Sequence, residues 1–239
     1  MPILSLRNVS KNFGALKVTD DVTFDLDAGQ ALGIIGPNGA GKSTLFNLIT
    51  GNIRPNAGQV FLDGVDVTQQ SPMDRCRSGV GRSFQIPQPF GHLSVYENLL
   101  VAARFGAQLS AAEAEARCME ILRQTGLAAS AGKPSGGLSL LSRKRLELAR
   151  AMATNPRVIL LDEIAGGLTE GECGELVDTI KGIHASGTAI IWIEHVLHAL
   201  TRVVEKLLVL NFGRVLMIGT PAEVMASDQV REIYLGAEA

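Results

Sequence analysis

The stretch that most constrains this chain is Gly36-Pro37-Asn38-Gly39-Ala40-Gly41-Lys42-Ser43-Thr44, which fits G-x-x-x-x-G-K-[ST] at every position. A short apolar run, Ala31 to Ile35, precedes it, and Lys42 to Thr50 reads as a helix stopped at Gly51. Strand, loop and helix in that order predict a phosphate-binding loop. Only residues with little side chain let successive backbone N–H groups wrap an anion at a helix N-terminus, where the helix dipole favours negative charge. In this reading residues 36–41 form the cradle and Lys42 reaches the β- and γ-phosphates. Ser43 offers its hydroxyl to Mg²⁺, and Thr44 continues the first helical turn. The glycines at 36, 39 and 41 do not give G-x-G-x-x-G, which speaks against a dinucleotide-binding oxidoreductase.

The rest of the chain is consistent with such a core. Its 239 residues can bury one large α/β domain with a subdomain. Hydrophobic residues make up 46% and aromatics only 5%, which favours a Val, Ile, Leu and Ala core of buried parallel strands under helices. A net charge of −2 without a basic stripe argues against nucleic acid as a partner. Cys76, Cys118 and Cys173 lie far apart with no C-x-x-C or paired His, as in a reduced, cytosolic chain. There is no signal-like start and no apolar run approaching the roughly 18 residues of a membrane span, so any membrane role is expected to run through partners.

Residues 3–9 and 22–26 alternate apolar and polar, predicting antiparallel strands, with Phe13-Gly14 in the turn between them. A turn at 55–58 and a hairpin around Asp63-Gly64 complete a front third that reads as one mixed sheet. Phe84-Gln85-Ile86-Pro87-Gln88-Pro89-Phe90 is too proline-rich for a helix and reads as a connector. The pattern turns helical from Ser94 to about Gly126, with Ser110 and Glu113 as a capping box. Residues 132–137 are expected as loop, and 142–154 as a helix ended by Asn155-Pro156. Beyond that, strands at 158–161 and 189–193 flank a helix capped by Thr169 and Glu172. Two short strands around Gly213 and a helix capped at Thr220-Pro221 close the chain. Alternating strands and helices predict a parallel sheet with right-handed crossovers.

Four apolar residues, Val158 to Leu161, run into Asp162-Glu163 at a strand's C-terminal end, where open α/β sheets place ligand chemistry. Asp162 is expected to hold Mg²⁺ directly or through water, and Glu163 to orient and activate an attacking water. His195 also ends a buried strand, as a structural residue or as a donor to a γ-phosphate. Gln85 could bridge a metal-bound water and the mobile connector. Phe13 either stacks on a base or plugs the core. The apolar positions from Phe90 through Leu93, Val95 and Leu99 to Leu100 read as subdomain core, with a minority available to a partner.

With these residues placed, nearly the whole chain resembles the nucleotide-binding subunit of an ATP-binding cassette transporter. The order carries the resemblance: phosphate loop at 36–43, Gln85, a signature helix, Val158 to Glu163, and His195. Ser139 falls in register with Arg145 and Ala149-Arg150 as the family's signature serine does. The resemblance implies a P-loop NTPase core over about 1–85 and 157–239, with an N-terminal antiparallel β subdomain, and a helical subdomain over about 86–156. It implies ATP with Mg²⁺ as cofactors, and hydrolysis with Glu163 as base, His195 as switch and Gln85 coupling to a transmembrane subunit. Phe13 would stack on adenine, Ser139 would contact the partner's nucleotide, and Ser43, Gln85 and Asp162 would serve the metal. Residues 84–90, Ala165 to Thr169, Ile193 to His195 and the closing Tyr234-Leu235-Gly236 resemble ATPases of branched-chain amino acid importers, to which urea and short-chain amide importers are close. Such a subunit would sit peripherally on the cytoplasmic side of the inner membrane, with permease subunits, a second ATPase subunit and an extracytoplasmic solute-binding protein. Repair and translation ATPases of the family usually fuse two cassettes or add coiled coils, which this chain does not show.

One segment departs from the family. Leu138-Ser139-Leu140-Leu141-Ser142 stands where Leu-Ser-Gly-Gly-Gln or Leu-Ser/Ala-Tyr-Gly-Gln is expected, and Leu141 replaces a glycine. A leucine there is expected to hinder the close approach that a glycine permits. The altered signature beside an intact loop and intact acids predicts a heterodimer with a different ATPase, a homodimer being the alternative; a nucleotide-binding module that has lost hydrolysis is the other reading. Ser135-Gly136-Gly137 sits four residues too early to be a shifted signature and reads as loop.

Overall fold

The computed structural model describes residues 1–235; Gly236, the last residue of the Tyr234-Leu235-Gly236 match, lies outside the described residues. The elements in chain order are β1 (Leu4–Phe13), β2 (Leu16–Leu26), β3 (Ala31–Ile35), α1 (Lys42–Thr50), β4 (Ala57–Leu62), β5 (Val65–Asp66), α2 (Pro72–Arg77) and β6 (Val80–Arg82). A mainly helical stretch comes next, with α3 (Val95–Val101), α4 (Ala111–Gln124) and α5 (Leu140–Ala153). The chain then runs through β7 (Val158–Asp162), α6 (Glu170–Ala185), β8 (Ala189–Ile193), α7 (Leu197–Leu200), β9 (Lys206–Asn211), β10 (Arg214–Gly219), α8 (Pro221–Ala226) and α9 (Asp228–Leu235).

Two sheets replace the single mixed sheet expected of the front third. A four-stranded antiparallel sheet has the order β2-β1-β4-β5, and a six-stranded sheet the order β10-β9-β3-β8-β7-β6. Within the larger sheet β3, β6, β7, β8 and β9 pair in parallel and only β10 runs antiparallel. The strand before the phosphate loop thus leaves its sequence neighbours and pairs with β8 and β9. Its apolar run has no polar face to turn outward, so it needs cover on both sides. Leu32 and Ile34 pack with α1 and the antiparallel sheet, whereas Ala31 and Ile35 pack with the helices on the opposite face.

Local signals set most helix ends. Ser94, Ser110, Thr169 and Thr220 all form complete capping boxes with the acid three residues on. α5 begins at Leu140, two residues before its expected start, because Ser139 accepts a hydrogen bond from the Ser142 N–H. Ser135 to Gly137, expected as plain loop, makes a 3₁₀ turn whose Ser135 hydroxyl is buried and donates to the Phe90 carbonyl.

Arg75 of α2 is completely buried, and its guanidinium donates to the carbonyls of Leu48 (2.5 Å), Ile49 (2.8 Å) and Thr68 (2.8 Å). It therefore satisfies carbonyls at the end of α1 that no helical N–H reaches, and places positive charge at the negative end of that helix. Burial pushes its pKa down to about 10, with Asp66 pulling the other way. Arg75→Ala should lower the free energy of unfolding by about 2–4 kcal/mol, as buried carbonyls lose their donors; urea denaturation followed by circular dichroism measures this.

Candidate functional site

The C-terminal ends of β3, β7 and β8 lie side by side, and the chemistry-bearing residues stand at or directly after each of them. From β3 comes the phosphate loop. Gly41, the N-cap of α1, has φ 101°, and a Cβ there would stand 2.5 Å from the Val18 carbonyl oxygen, so both backbone and space demand glycine. Lys42 folds its ammonium back on the loop, donating to the carbonyls of Gly36 (2.7 Å) and Pro37 (3.0 Å). Burial pushes this ammonium below its ordinary pKa, while Glu163 and Asp162 pull it back. Residues 38–44, Val18 and Glu163 line one cavity of about 210 Å³. Gly36 and Pro37 hold the Lys42 ammonium in place through their carbonyls.

From β7 come Asp162 and Glu163. Asp162 is buried, and its Oδ2 accepts from Arg82 Nη2 at 2.7 Å. Arg82 is itself held by Asn47 Oδ1 (2.6 Å) and stacks beneath Phe84 (5.0 Å). Glu163 has φ 45°, in the left-handed region. For a non-glycine residue that conformation costs about 1–3 kcal/mol and persists only where the surroundings impose it. Here the Glu163 N–H donates to the Ile193 carbonyl (2.8 Å), which anchors the peptide to the end of β8.

From β8 come Glu194 and His195. The Glu194 carboxylate is buried and accepts from the N–H groups of Ala165 (3.0 Å) and His195 (3.0 Å), tying the segment after β7 to the end of β8. His195 Nε2 lies 2.9 Å from Glu163 Oε1, and Gln85 Nε2 donates to Glu163 Oε2 at 2.5 Å. Three residues far apart in sequence thus meet on one carboxylate.

The structure does not gather every expected site residue there. Ser139, expected against a partner's nucleotide and not this chain's own, is the exposed N-cap of α5 and lies outside the loop cavity. Phe13 lies at the end of β1, 51% exposed, with the Lys11 ammonium 5.4 Å over its ring, so it is no core plug. The Leu141 side chain does not stand in a partner's way as expected: it is 8% exposed and packs into the core, because the second helical position points inward. Leu140 is the outward residue, 44% exposed, beside Gly167.

Residues the sequence reading missed include Arg82, Glu194, Lys144 and Glu147, all engaged around this cluster. Lys144 and Glu147 did leave a trace, being charged residues on the buried face of a helix otherwise lined by Leu141, Leu148 and Met152.

Among the described residues no group of three or more His, Cys, Asp or Glu is arranged to hold a metal. Of the residues expected to serve a metal, Ser43 lines the loop cavity, Asp162 is paired with Arg82 and Gln85 with Glu163, and the side-chain atoms they would offer are oxygens. That set fits Mg²⁺, which takes one or two protein carboxylates and draws other ligands from substrate phosphates.

A parallel sheet, a phosphate loop on its central strand and two acids after a neighbouring strand define a P-loop nucleotide-binding domain. The family described as ABC transporter matches residues 19–166, and that described as branched-chain amino acid ATP-binding cassette transporter matches residues 214–239. The lipopolysaccharide export system ATP-binding protein LptB of Haemophilus influenzae is 30% identical over 238 residues, covering 100% of this chain and 99% of its own. The probable branched-chain amino acid transport ATP-binding protein LivG of Methanocaldococcus jannaschii is 32% identical over 252 residues, covering 99% of this chain and 98% of its own. A solved ATP-binding cassette of an ABC transporter in its ADP conformation superposes with a TM-score of 0.90 at 31% identity, covering 99% of each chain. This chain belongs to the ABC transporter ATPase family.

The left-handed Glu163 gives a stability test. Asparagine tolerates that region far better than glutamate, so Glu163→Asn should raise the unfolding free energy by about 0.5–1 kcal/mol while removing the long carboxylate. Paired thermal-melt and ATPase measurements check both halves.

Proposed function

We propose that this chain binds ATP on the loop from Gly36 to Thr44 and hydrolyses it with Glu163 to drive transport through separate transmembrane subunits. The observation that carries this reading is the Glu163 carboxylate, which lines the phosphate-loop cavity while Gln85 and His195 engage its two oxygens. A carboxylate so placed can take the proton of an attacking water held between it and a γ-phosphate. Lys42 swings from its own loop carbonyls to the phosphates, and loop N–H groups replace the hydration those phosphates lose. His195 holds Glu163 in place and donates to the γ-phosphate once that group arrives. Ser43, Asp162 and Gln85 are the residues that would hold Mg²⁺, whose chemistry is to neutralise charge on the β- and γ-oxygens. Phe13, already exposed, offers its ring to the adenine.

Closure is expected to need a second cassette that brings the N-terminus of its signature helix, headed by Ser139, over the nucleotide. In this chain the side chain such a partner meets is Leu140, since Leu141 is turned inward. A pair with a different ATPase is the favoured reading, two copies of this chain being the alternative. The exposed Phe84 lines a groove of about 240 Å³ with Arg82, Glu147 and Arg150, Ile86 and Phe90 are exposed on the same connector, and this is where a permease subunit would dock. No helix among the described residues is long and apolar enough to cross a membrane, which supports a peripheral subunit held on the cytoplasmic side by the permease.

For the solute, we infer import of branched-chain or other hydrophobic amino acids, with an extracytoplasmic solute-binding protein delivering them. The match at residues 214–239 and the likeness to LivG support this reading. A second reading is lipopolysaccharide export, favoured by likeness to LptB along the whole chain.

Two experiments test these readings. Glu163→Gln should lower the turnover of ATP by about 10²–10⁴-fold, the usual contribution of a general base, while leaving nucleotide binding intact; its solution mass with Mg·ATP then reports whether two copies pair. In cells lacking this chain, uptake of labelled leucine should fall and return with the parent chain but not with Glu163→Gln. Undiminished leucine uptake with impaired delivery of lipopolysaccharide to the surface would instead support export, and a loss confined to labelled urea would point to amide import.

A further inference from the structure

Three charged side chains spaced i, i+3 and i+6 along α5 hold the main chain of the 84–90 connector. Lys144 Nζ donates to the Gln85 carbonyl at 2.6 Å, and Glu147 Oε1 accepts from the Gln88 N–H at 2.9 Å. Arg150 Nη1 donates to the Gln88 carbonyl at 2.9 Å, and its guanidinium lies 5.2 Å from the Phe90 ring centroid. Of the three, only Lys144 extends past the connector. Its ammonium also donates to the Glu163 carbonyl at 3.4 Å.

Several features mark Lys144 as more than filler. It is 3% exposed on a helix face where packing alone would take an apolar residue. Burial pushes its ammonium below the ordinary lysine range, and Glu194, Glu163 and Glu147 offset this by favouring the charged form. An ammonium has three donors and no acceptor, so it suits a place where main-chain carbonyls converge from two directions. The Glu163 carbonyl has one other donor here, the Gly166 N–H at 3.3 Å. Lys144 therefore joins two peptides, one bearing the Gln85 amide and the other the Glu163 carboxylate, which meet again through their side chains at 2.5 Å.

We propose that Lys144 is a positioning residue for ATP hydrolysis: by bridging the Gln85 and Glu163 carbonyls it keeps the amide and the carboxylate in register, and makes that register depend on where α5 sits. The proposal rests on the reading of Glu163 as the base. Lys144 lies five residues after Ser139, about 7.5 Å along the helix at 1.5 Å per residue. A partner that moves the Ser139 end of α5 therefore moves the tie to Glu163 with it.

The test uses the full-length chain with Lys144→Met, which keeps the stem without the charge, Lys144→Gln, which is too short to bridge both carbonyls, and Lys144→Arg, which restores long charged donors. Glu163→Gln serves as the reference. Turnover and KM for Mg·ATP, equilibrium ATP affinity, and amide hydrogen exchange over 84–90 and 160–166 are measured for each. Lys144→Met and Lys144→Gln should lower kcat by about tenfold or more, as misplacing a reacting group does, and speed exchange in both segments. ATP affinity should stay within about twofold, the pattern of an interaction used only in the transition state. Lys144→Arg should recover most of the lost kcat. The proposal is overturned if kcat stays near the parent's in Lys144→Met, if affinity falls in step with kcat, or if Lys144→Arg is as impaired as Lys144→Met. Failure of the base reading shows separately, as a Glu163→Gln chain that turns over like the parent, and the exchange measurement still decides whether the tie exists.

Discussion

Parallel pairing of three strands is the constraint on which the rest depends. β8 pairs with β3 on one side and with β7 on the other, in a register that sets Asp162 beside Ile193 and Ile193 beside Ile34. Because all three strands run the same way, the residues that succeed them emerge at one edge of the sheet. A loop for phosphate, two acids and a Glu-His pair therefore meet without any one of them being close to another in sequence. Slippage of β7 by a single residue would exchange its buried faces and carry Glu163 away from His195. The two apolar cores on either face of the sheet guard against that slip, since every residue of β3, β7 and β8 is buried.

The site built on this edge is held by main-chain bonds and buried charges more than by its own side chains. Glu194 secures the segment after β7, Arg82 secures Asp162, and Arg75 secures the far end of the helix that the phosphate loop opens. Each of these is a charged group held by carbonyls, amides or an opposite charge. The functional side chains differ in access: His195 is exposed, whereas Lys42 is buried and bonds to its own loop.

Much of this was legible in the sequence because the signals were local. The phosphate loop, the capping boxes at Ser110, Thr169 and Thr220, and the apolar runs of β3, β7 and β8 each announce themselves within a few residues. The features that were missed depend on pairing at a distance. β6 is three residues long with Gly81 at its centre, and is a strand only because β7 lies beside it. β3 could not be assigned to the second sheet from its own composition, since a fully apolar run says that it is buried but not by which neighbours. The inward turn of Leu141 is set by where α5 begins, at Leu140 behind the Ser139 cap and not at Ser142 as expected. α2 had a readable start, Ser71 followed by Pro72 at the first helical position, but only six residues to show a period.

The way α5 holds the connector has a consequence for how this subunit can change over evolutionary time. Its grip on Gln85 and Gln88 is on backbone atoms that nearly every residue type shares, and the Ile86 side chain between them is exposed. Mutations at Ile86 or at the outward part of Phe84 can therefore accumulate without disturbing the catalytic edge. If a membrane partner docks on this connector as proposed, the same engine can be refitted to another by rewriting a few exposed side chains, in keeping with the likeness of this chain, along nearly its whole length, both to a chain named for amino acid transport and to one named for lipopolysaccharide export.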